Sequence, residues 1–259
     1  MGIKIEDCIF ASPEQIEFVI MGMRNPMNSW NKSDSYAGFD CRACGHIERD
    51  GSCIKGNPER EHCHEYYGLE LGPNDKSLMQ SLSKAGSEHR KYLRMLPVWC
   101  NITAPLYWWK EFDTYKVGTV ANSCSTMHKI ADKEFTLEDF STEHICIQQS
   151  IDMLKNIIDA LNVFRDVYLN GGNLRYKNGN IKCFGKKDKE IWWQMIQLLP
   201  SSYNQKRSIF MNGEVLLNIY NHRWGHKLDE WKEFTFFVED SPYWDIIQPA
   251  CIKKVPGKE

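Results

Sequence analysis

Ile102-Thr-Ala-Pro-Leu-Tyr-Trp-Trp-Lys-Glu-Phe-Asp-Thr-Tyr-Lys-Val-Gly-Thr-Val-Ala-Asn-Ser-Cys-Ser-Thr-Met-His128 joins the densest aromatic run of the chain to its densest polar loop. Val98, Cys100 and Ile102 alternate as one face of a strand, Thr103 with Pro105 marks the start of a helix and Gly118 its end. Beyond Gly118 the residues stop resembling a core. Val120 to Thr126 carries Asn122, Ser123, Ser125 and Thr126 around a thiol, the composition expected where hydroxyl, amide and backbone groups close on a polar ligand. An ordinary Ser/Thr-rich turn has the same composition.

The 259 residues, 42% of them hydrophobic, suffice for a sizeable core in one large domain or two small ones. A formal net charge of -2 and a pI near 6.5 argue against general nucleic-acid binding by charge and leave room for a local basic pocket for one small anion. The opening residues Met1 to Glu6 match neither a secretory signal nor a myristoylation pattern. No apolar run approaches the ~20 residues that span a bilayer, so no membrane partner is expected. The expected compartment is the cytoplasm, where the ten cysteines point to metal binding, packing or reactivity rather than disulfides.

Toward the N-terminus, Ile3 to Phe10 alternates as a short strand and Ser12-Pro13-Glu14 starts a helix with Ile16, Val19 and Ile20 on its inner face. Asn25-Pro26 then breaks the pattern, and Arg24 before it reads as a surface arginine or an anion ligand. Between residues 40 and 64 lie Cys41, Cys44, Cys53 and Cys63 in a polar, Gly-containing stretch. Four thiolates at such spacing close a tetrahedral Zn2+ site and order a segment with too few apolar residues to fold by burial. His62 or His64 is an alternative fourth ligand, and an iron-sulfur cluster accepts the same four cysteines. Pro73-Asn74-Asp75 reads as the cap of a helix from about Lys76 to Ala85, and His89 follows in a charged turn.

On the C-terminal side, Phe135 to Asn170 is expected to be mainly helical, with Ile151, Leu154, Ile158, Leu161 and Tyr168 forming one apolar stripe. Asn178-Gly179, inside Arg175 to Phe184, predicts a hairpin or surface loop. No repeat or low-complexity tract divides the chain. One domain over 1-259, carrying the cysteine segment as an insertion, is the expected organisation.

Ala104-Pro105 and the polar loop, with Leu199-Pro200, Tyr203, Asn212, Asn218 and Arg223, resemble the flavin-dependent thymidylate synthases. The family signature is Arg-His-Arg, two residues, Ser, one residue, Asn-Glu, one residue, Ser, one residue, Arg-Tyr, after an Ala-Pro junction. Counted from Ala104-Pro105, the basic triplet falls on Thr114-Tyr115-Lys116 and its Ser on Thr119. With one inserted residue, Asn122, Ser123 and Ser125 take the places of Asn, Glu and Ser. The second family motif, Leu-Pro, a strand, then Asn, five residues, Asn, four residues, Arg, is kept in full. On one continuous helix Asn212 and Arg223, eleven apart, would share a face.

The resemblance implies an α+β fold, an antiparallel sheet flanked by helices, in a homotetramer with sites shared between subunits. It implies transfer of a one-carbon unit from methylenetetrahydrofolate to a pyrimidine deoxynucleotide, with FAD as cofactor and NADPH as a further co-substrate. It assigns Ser125 and Arg223 to the reacting nucleotide, with Asn122 and Ser123 beside them, and Lys116, Thr119, Asn212, Asn218 and His89 to the flavin. The loss of two bases from the triplet leaves a second class open: a noncatalytic nucleotide-binding or zinc-dependent interaction protein on the same scaffold.

Overall fold

A computed structural model describes residues 2–39 and 67–251. In chain order its elements are β1 (Lys4–Phe10), α1 (Pro13–Arg24), β2 (Tyr36–Phe39), β3 (Tyr67–Glu70), α2 (Pro73–Lys84), β4 (Pro97–Pro105) and α3 (Leu106–Phe112). There follow β5 (Val120–Ser123), α4 (Thr126–Lys129), α5 (Gln148–Asn170), β6 (Gly172–Arg175), β7 (Ile181–Phe184), α6 (Lys189–Leu198), β8 (Asn204–Asn212), α7 (Gly213–Arg223), α8 (Asp229–Glu239) and α9 (Trp244–Ile247). The expected class holds: an antiparallel sheet in the order β1-β4-β8-β5 lies against helices. None of the helices described is long and apolar enough to cross a membrane.

The alternation read at Val98, Cys100 and Ile102 continues to Ala104, and all four are buried on the helix side of β4 beside Ile209 and Met211 of β8. Onto this face α3 sets Trp108, Trp109 and Phe112, and α8 sets Trp231 and Phe234, so that the aromatic run becomes the centre of the core. The Trp108 ring lies 5.1 Å from Phe112 and 4.7 Å from Trp231. Helix α7 buries Val215, Leu216, Leu217, Ile219 and Tyr220 over more than half of its circumference, while Glu214, Asn218 and Asn221 share the remaining, polar side. The other sheet face carries a row that crosses all four strands, Ile9 opposite Trp99, Trp99 opposite Phe210 and Phe210 opposite Val120. Ile9, Trp99 and Val120 are exposed.

Four expectations change. The helix after Pro105 ends at Phe112 rather than Gly118, because Asp113 and Thr114 bond back to Trp109 and Glu111 and the chain then turns toward the sheet edge. Phe135 to Ile147 is not part of the long helix; it holds a 3-10 turn at Leu137–Asp139, and the helix starts at Gln148. Asp75 does not cap its own helix. Its N–H and that of Asn74 donate to the Asp34 carboxylate, at 3.1 and 3.0 Å, while Asp75 is fully buried and accepts from Arg24 at 2.6 Å, from Ser33 and from Ser35. Arg24 is therefore neither a surface residue nor free for an anion: it is buried, and its Nη1 also donates to the Ser29 carbonyl.

Cys41, Cys44, Cys53 and Cys63 lie outside the described residues. Their stretch departs from and returns to the antiparallel ribbon β2-β3, whose last pair is Phe39 opposite Tyr67. Among the described residues no group of three or more His, Cys, Asp or Glu could hold a metal ion.

Candidate functional site

The two motifs, some ninety residues apart in sequence, meet where the chain between α3 and β5 crosses the ends of β8 and α7. Arg223, on the last turn of α7, donates through Nε to the Tyr115 hydroxyl at 3.0 Å. Its Nη1 lies 2.7 Å from the Glu111 carboxylate, and the guanidinium stacks 4.7 Å from the Trp231 ring centre. His226 Nε2 is 3.3 Å from Nη1. Arg223 Nη2 has no protein partner among the described residues, so the planar fork keeps donors for a ligand oxygen.

Asn212 is not inside the helix but is its N-cap, with Oδ1 accepting from Val215 N at 3.1 Å. This corrects the shared-face expectation. An amide at the cap and a guanidinium eleven positions on are separated by about 16 Å of helical rise, and angular coincidence alone does not bring them to one atom. What they share is the 115–119 segment. Gly118, at φ +85, lies against the Asn212 amide so closely that a Cβ there would sit 2.6 Å from Nδ2. Asn218 is half-buried midway along α7, between the two.

Lys116 and Thr119 line a cavity of about 340 Å³ with Phe112, Asp113, Tyr115 and Ala121. Thr119 Oγ1 is buried and finds no hydrogen-bond partner among the described residues. A buried hydroxyl without a partner costs about 1 to 3 kcal/mol, and its presence on a cavity wall is a reason to expect a polar ligand there. Asp113 beside Lys116 is held by Arg207 at 2.8 Å, and the Arg207 guanidinium stacks 4.2 Å from the Trp109 ring centre.

Asn122 and Ser123 lie on β5, the edge strand, exposed and opposite Ser208 and Arg207. Ser125 caps α4, its Oγ accepting from His128 N at 3.2 Å. That turn is held from behind by Trp192, whose Nε1 donates to the Met127 carbonyl at 2.9 Å. His89 sits exposed in a turn next to Arg90, which with Arg94 pairs with Glu214 on the first turn of α7. The structure thus groups Lys116, Thr119, Asn212 and Arg223 around one segment, and sets Asn122, Ser123 and Ser125 along the adjoining sheet edge.

Solved structures of this architecture exist. A flavin-dependent thymidylate synthase ThyX from Helicobacter pylori, complexed with FAD and dUMP, aligns at a TM-score of 0.52 and 12% identity over 97% of this chain and 100% of that one. A second thymidylate synthase X structure from Helicobacter pylori, with FAD and dUMP, gives 0.54 and 12% over 96% and 98%. A UMP/dUMP methylase PolB from Streptomyces cacaoi bound with 5-Br dUMP gives 0.51 and 11% over 96% and 93%. This chain has their fold. No protein family in a scan of families matches the sequence, and no curated protein does.

Within this fold, Glu111, Trp231 and Arg207 contribute to the site without any signal in the sequence, and Tyr115, legible only as the middle position of the triplet, contributes its hydroxyl. Glu111 was legible only as a polar residue in an aromatic helix, and its pairing with an arginine 112 positions away has no local signal. The cavity lies at the small end of ligand sites, enough for a nucleotide-sized group. The unpartnered Thr119 hydroxyl and the Lys116 ammonium on its wall suit a ligand with acceptor oxygens, and Arg223, which does not itself line the cavity, is joined to it through Tyr115.

Proposed function

We propose that the chain binds a pyrimidine deoxynucleotide and, with a flavin, transfers a one-carbon unit to it. The observation that carries this reading is the meeting of the two motifs, Arg223 on Tyr115 and Asn212 on Gly118, beside a cavity walled by an unpartnered hydroxyl. Structures of the same fold, two of them with FAD and dUMP and one with 5-Br dUMP, support it.

In this reading Arg223 and Ser125 orient the nucleotide and polarise its oxygens, with Asn122 and Ser123 lining its approach. Lys116 meets a phosphate. Thr119, Asn218 and the Nδ2 of Asn212 hold flavin, since Asn212 Oδ1 is committed to Val215, and His89 contacts the flavin from the loop before β4. When bound, reduced FAD supplies hydride, methylenetetrahydrofolate supplies carbon and NADPH supplies electrons. The protein's part is to align these partners and exclude water, which accounts for rate without a side-chain nucleophile. Sites shared between subunits of a homotetramer suit the exposed β5 edge and the apolar row across the outer sheet face. For the cysteine stretch we infer one structural Zn2+ per chain, on the spacing of Cys41, Cys44, Cys53 and Cys63; elemental analysis finding iron with sulfide, or no metal, overturns it.

A second reading rests on the charge balance. Lys116 is the one base left in the triplet, and Arg223 is neutralised by Glu111, an arrangement that suits nucleotide binding without catalysis. Absorbance of the purified protein at flavin wavelengths, with and without added FAD, separates the two. A yellow protein that then converts deoxyuridylate supports the enzyme; deoxyuridylate binding without flavin supports the second reading.

A further inference from the structure

A second cavity, of about 820 Å³, lies away from the candidate site, between the β6-β7 hairpin and α6. Its floor is Phe164, Leu174 and Ile191, part of a small separate hydrophobic cluster. One wall is a single face of α6, where Glu190, Trp193, Gln194 and Gln197 recur at spacings of three and four. The opposite wall is the hairpin, with Arg175, Tyr176 and Lys177. Lys182 Nζ lies 4.7 Å from the Tyr176 ring centre and 2.8 Å from the Glu190 carboxylate, which pins the hairpin to the helix.

The chemistry of these walls is specific. Between Gly172 and Glu190 the chain carries six cations against two carboxylates, in a protein whose net charge is -2. Neither Arg175 nor Lys177 has a carboxylate partner among the described residues, and both stand exposed on the rim. An exposed indole, a phenol ring and two primary amides face them. Arg175 Nε donates to the Gly179 carbonyl at 3.3 Å and Lys177 Nζ lies 5.8 Å from the Tyr176 ring centre, so both charges are placed but not neutralised. Flat aromatic surfaces, amide edges and cations without a carboxylate around one cavity match a ligand with a flat heterocycle, hydrogen-bonding edges and an anionic tail. The volume suits one small molecule.

We propose that this cavity is a nucleoside-phosphate site, distinct from the candidate active site: the base stacks on Trp193 and Tyr176, Gln194 and Gln197 bond its edge, and Arg175 and Lys177 take the phosphates. The test is calorimetric titration of the full chain with adenosine 5′-triphosphate, with inorganic tripolyphosphate and a single-stranded oligonucleotide as comparisons. Trp193→Ala should weaken ATP binding roughly 5- to 150-fold, the range that loss of one stacked base gives. Trp193→Phe should retain most of it, and Arg175→Ala with Lys177→Ala should weaken it with a reduced salt dependence. Lys116→Ala, in the candidate active site, should leave this binding unchanged, so the two sites fail or hold independently. Absence of ATP binding, wild-type affinity in Trp193→Ala, or tripolyphosphate binding as tightly as ATP overturns the proposal. Affinity that climbs with oligonucleotide length replaces it with a nucleic-acid surface.

Discussion

The Nε of Arg223 donates to the Tyr115 hydroxyl at 3.0 Å, tying the end of α7 to the segment between α3 and β5. The same guanidinium is paired with Glu111 and stacked on Trp231, so it is oriented before any ligand arrives. Charged hydrogen bonds contribute ~1.5 to 3 kcal/mol net, so Arg223→Ala should weaken deoxyuridylate binding roughly 10- to 150-fold by calorimetric titration. Arg223→Lys should recover only part, because an ammonium keeps the charge and loses the planar fork. Wild-type affinity in Arg223→Ala would remove this residue from the nucleotide site.

Gly118 is set against Asn212, and two glycines with the same backbone angle separate contact from strain. Gly118 and Gly179 both have φ +85, but a Cβ at Gly118 meets Asn212 Nδ2 at 2.6 Å, whereas one at Gly179 meets its nearest neighbour, an Arg175 nitrogen, at 4.0 Å. Each alanine should lose about 1 to 2 kcal/mol from the left-handed conformation. Gly118→Ala should lose more and should also weaken nucleotide binding, since the Asn212 cap and the Lys116 loop must move apart. Equal melting temperatures for the two variants would show that the contact carries no weight.

How far the sequence reveals this architecture depends on how local the cause is. The strand at Val98 to Ala104 and the hairpin around Asn178-Gly179 follow from periodicity and turn residues, the helix carrying Asn218 and Arg223 is expected from the family resemblance, and each is found close to its expected place. The helix after Pro105 stops early because Tyr115 and Gly118 are drawn to α7, a tertiary contact that no window of sequence contains. Arg24 and Asp75, 51 positions apart, look like a surface arginine and a helix cap until folding buries them together. At the site, the family motif supplies the residue types, but the Asn212 cap and the Glu111 pairing exist only in the folded chain.

Asp75 makes the fold sensitive to acid. Burial pushes its carboxyl up, but donors from Ser35, the Asp34 N–H, Arg24 and Ser33 outweigh burial and hold it at about 2. With the folded value below the ordinary carboxylate value, the contribution, about 2 to 3 kcal/mol, is complete above about pH 5 and is lost as the pH falls toward 2. Denaturant titrations at pH 7 and pH 3 should show about half of that loss. Asp75→Ala should cost about 3 to 5 kcal/mol at pH 7, since it leaves Arg24 charged and buried, and should flatten the acid dependence. An unchanged pH profile in Asp75→Ala would place the acid sensitivity elsewhere.

The outer face of the sheet supplies the last prediction. Ile9, Trp99, Phe210 and Val120 form one apolar row across β1, β4, β8 and β5, with Trp99 40% and Val120 65% exposed and the Trp99 and Phe210 rings 5.4 Å apart. Row-forming exposed apolar residues mark a surface that is covered in the working assembly, and the proposed homotetramer supplies the cover. The strand itself does not need Trp99, because the buried side of β4 is carried by Val98, Cys100, Ile102 and Ala104. Trp99→Glu should therefore leave the monomer folded by circular dichroism while placing a charge in the subunit interface, lowering the mass seen by light scattering. Asn122 and Ser123 lie next to this row on the β5 edge, so nucleotide affinity should fall with the loss of assembly if the site is shared between subunits. A wild-type protein that stays monomeric over a wide concentration range would sink both the assembly and the shared site, and a Trp99→Glu variant of unchanged mass would move the interface to another face.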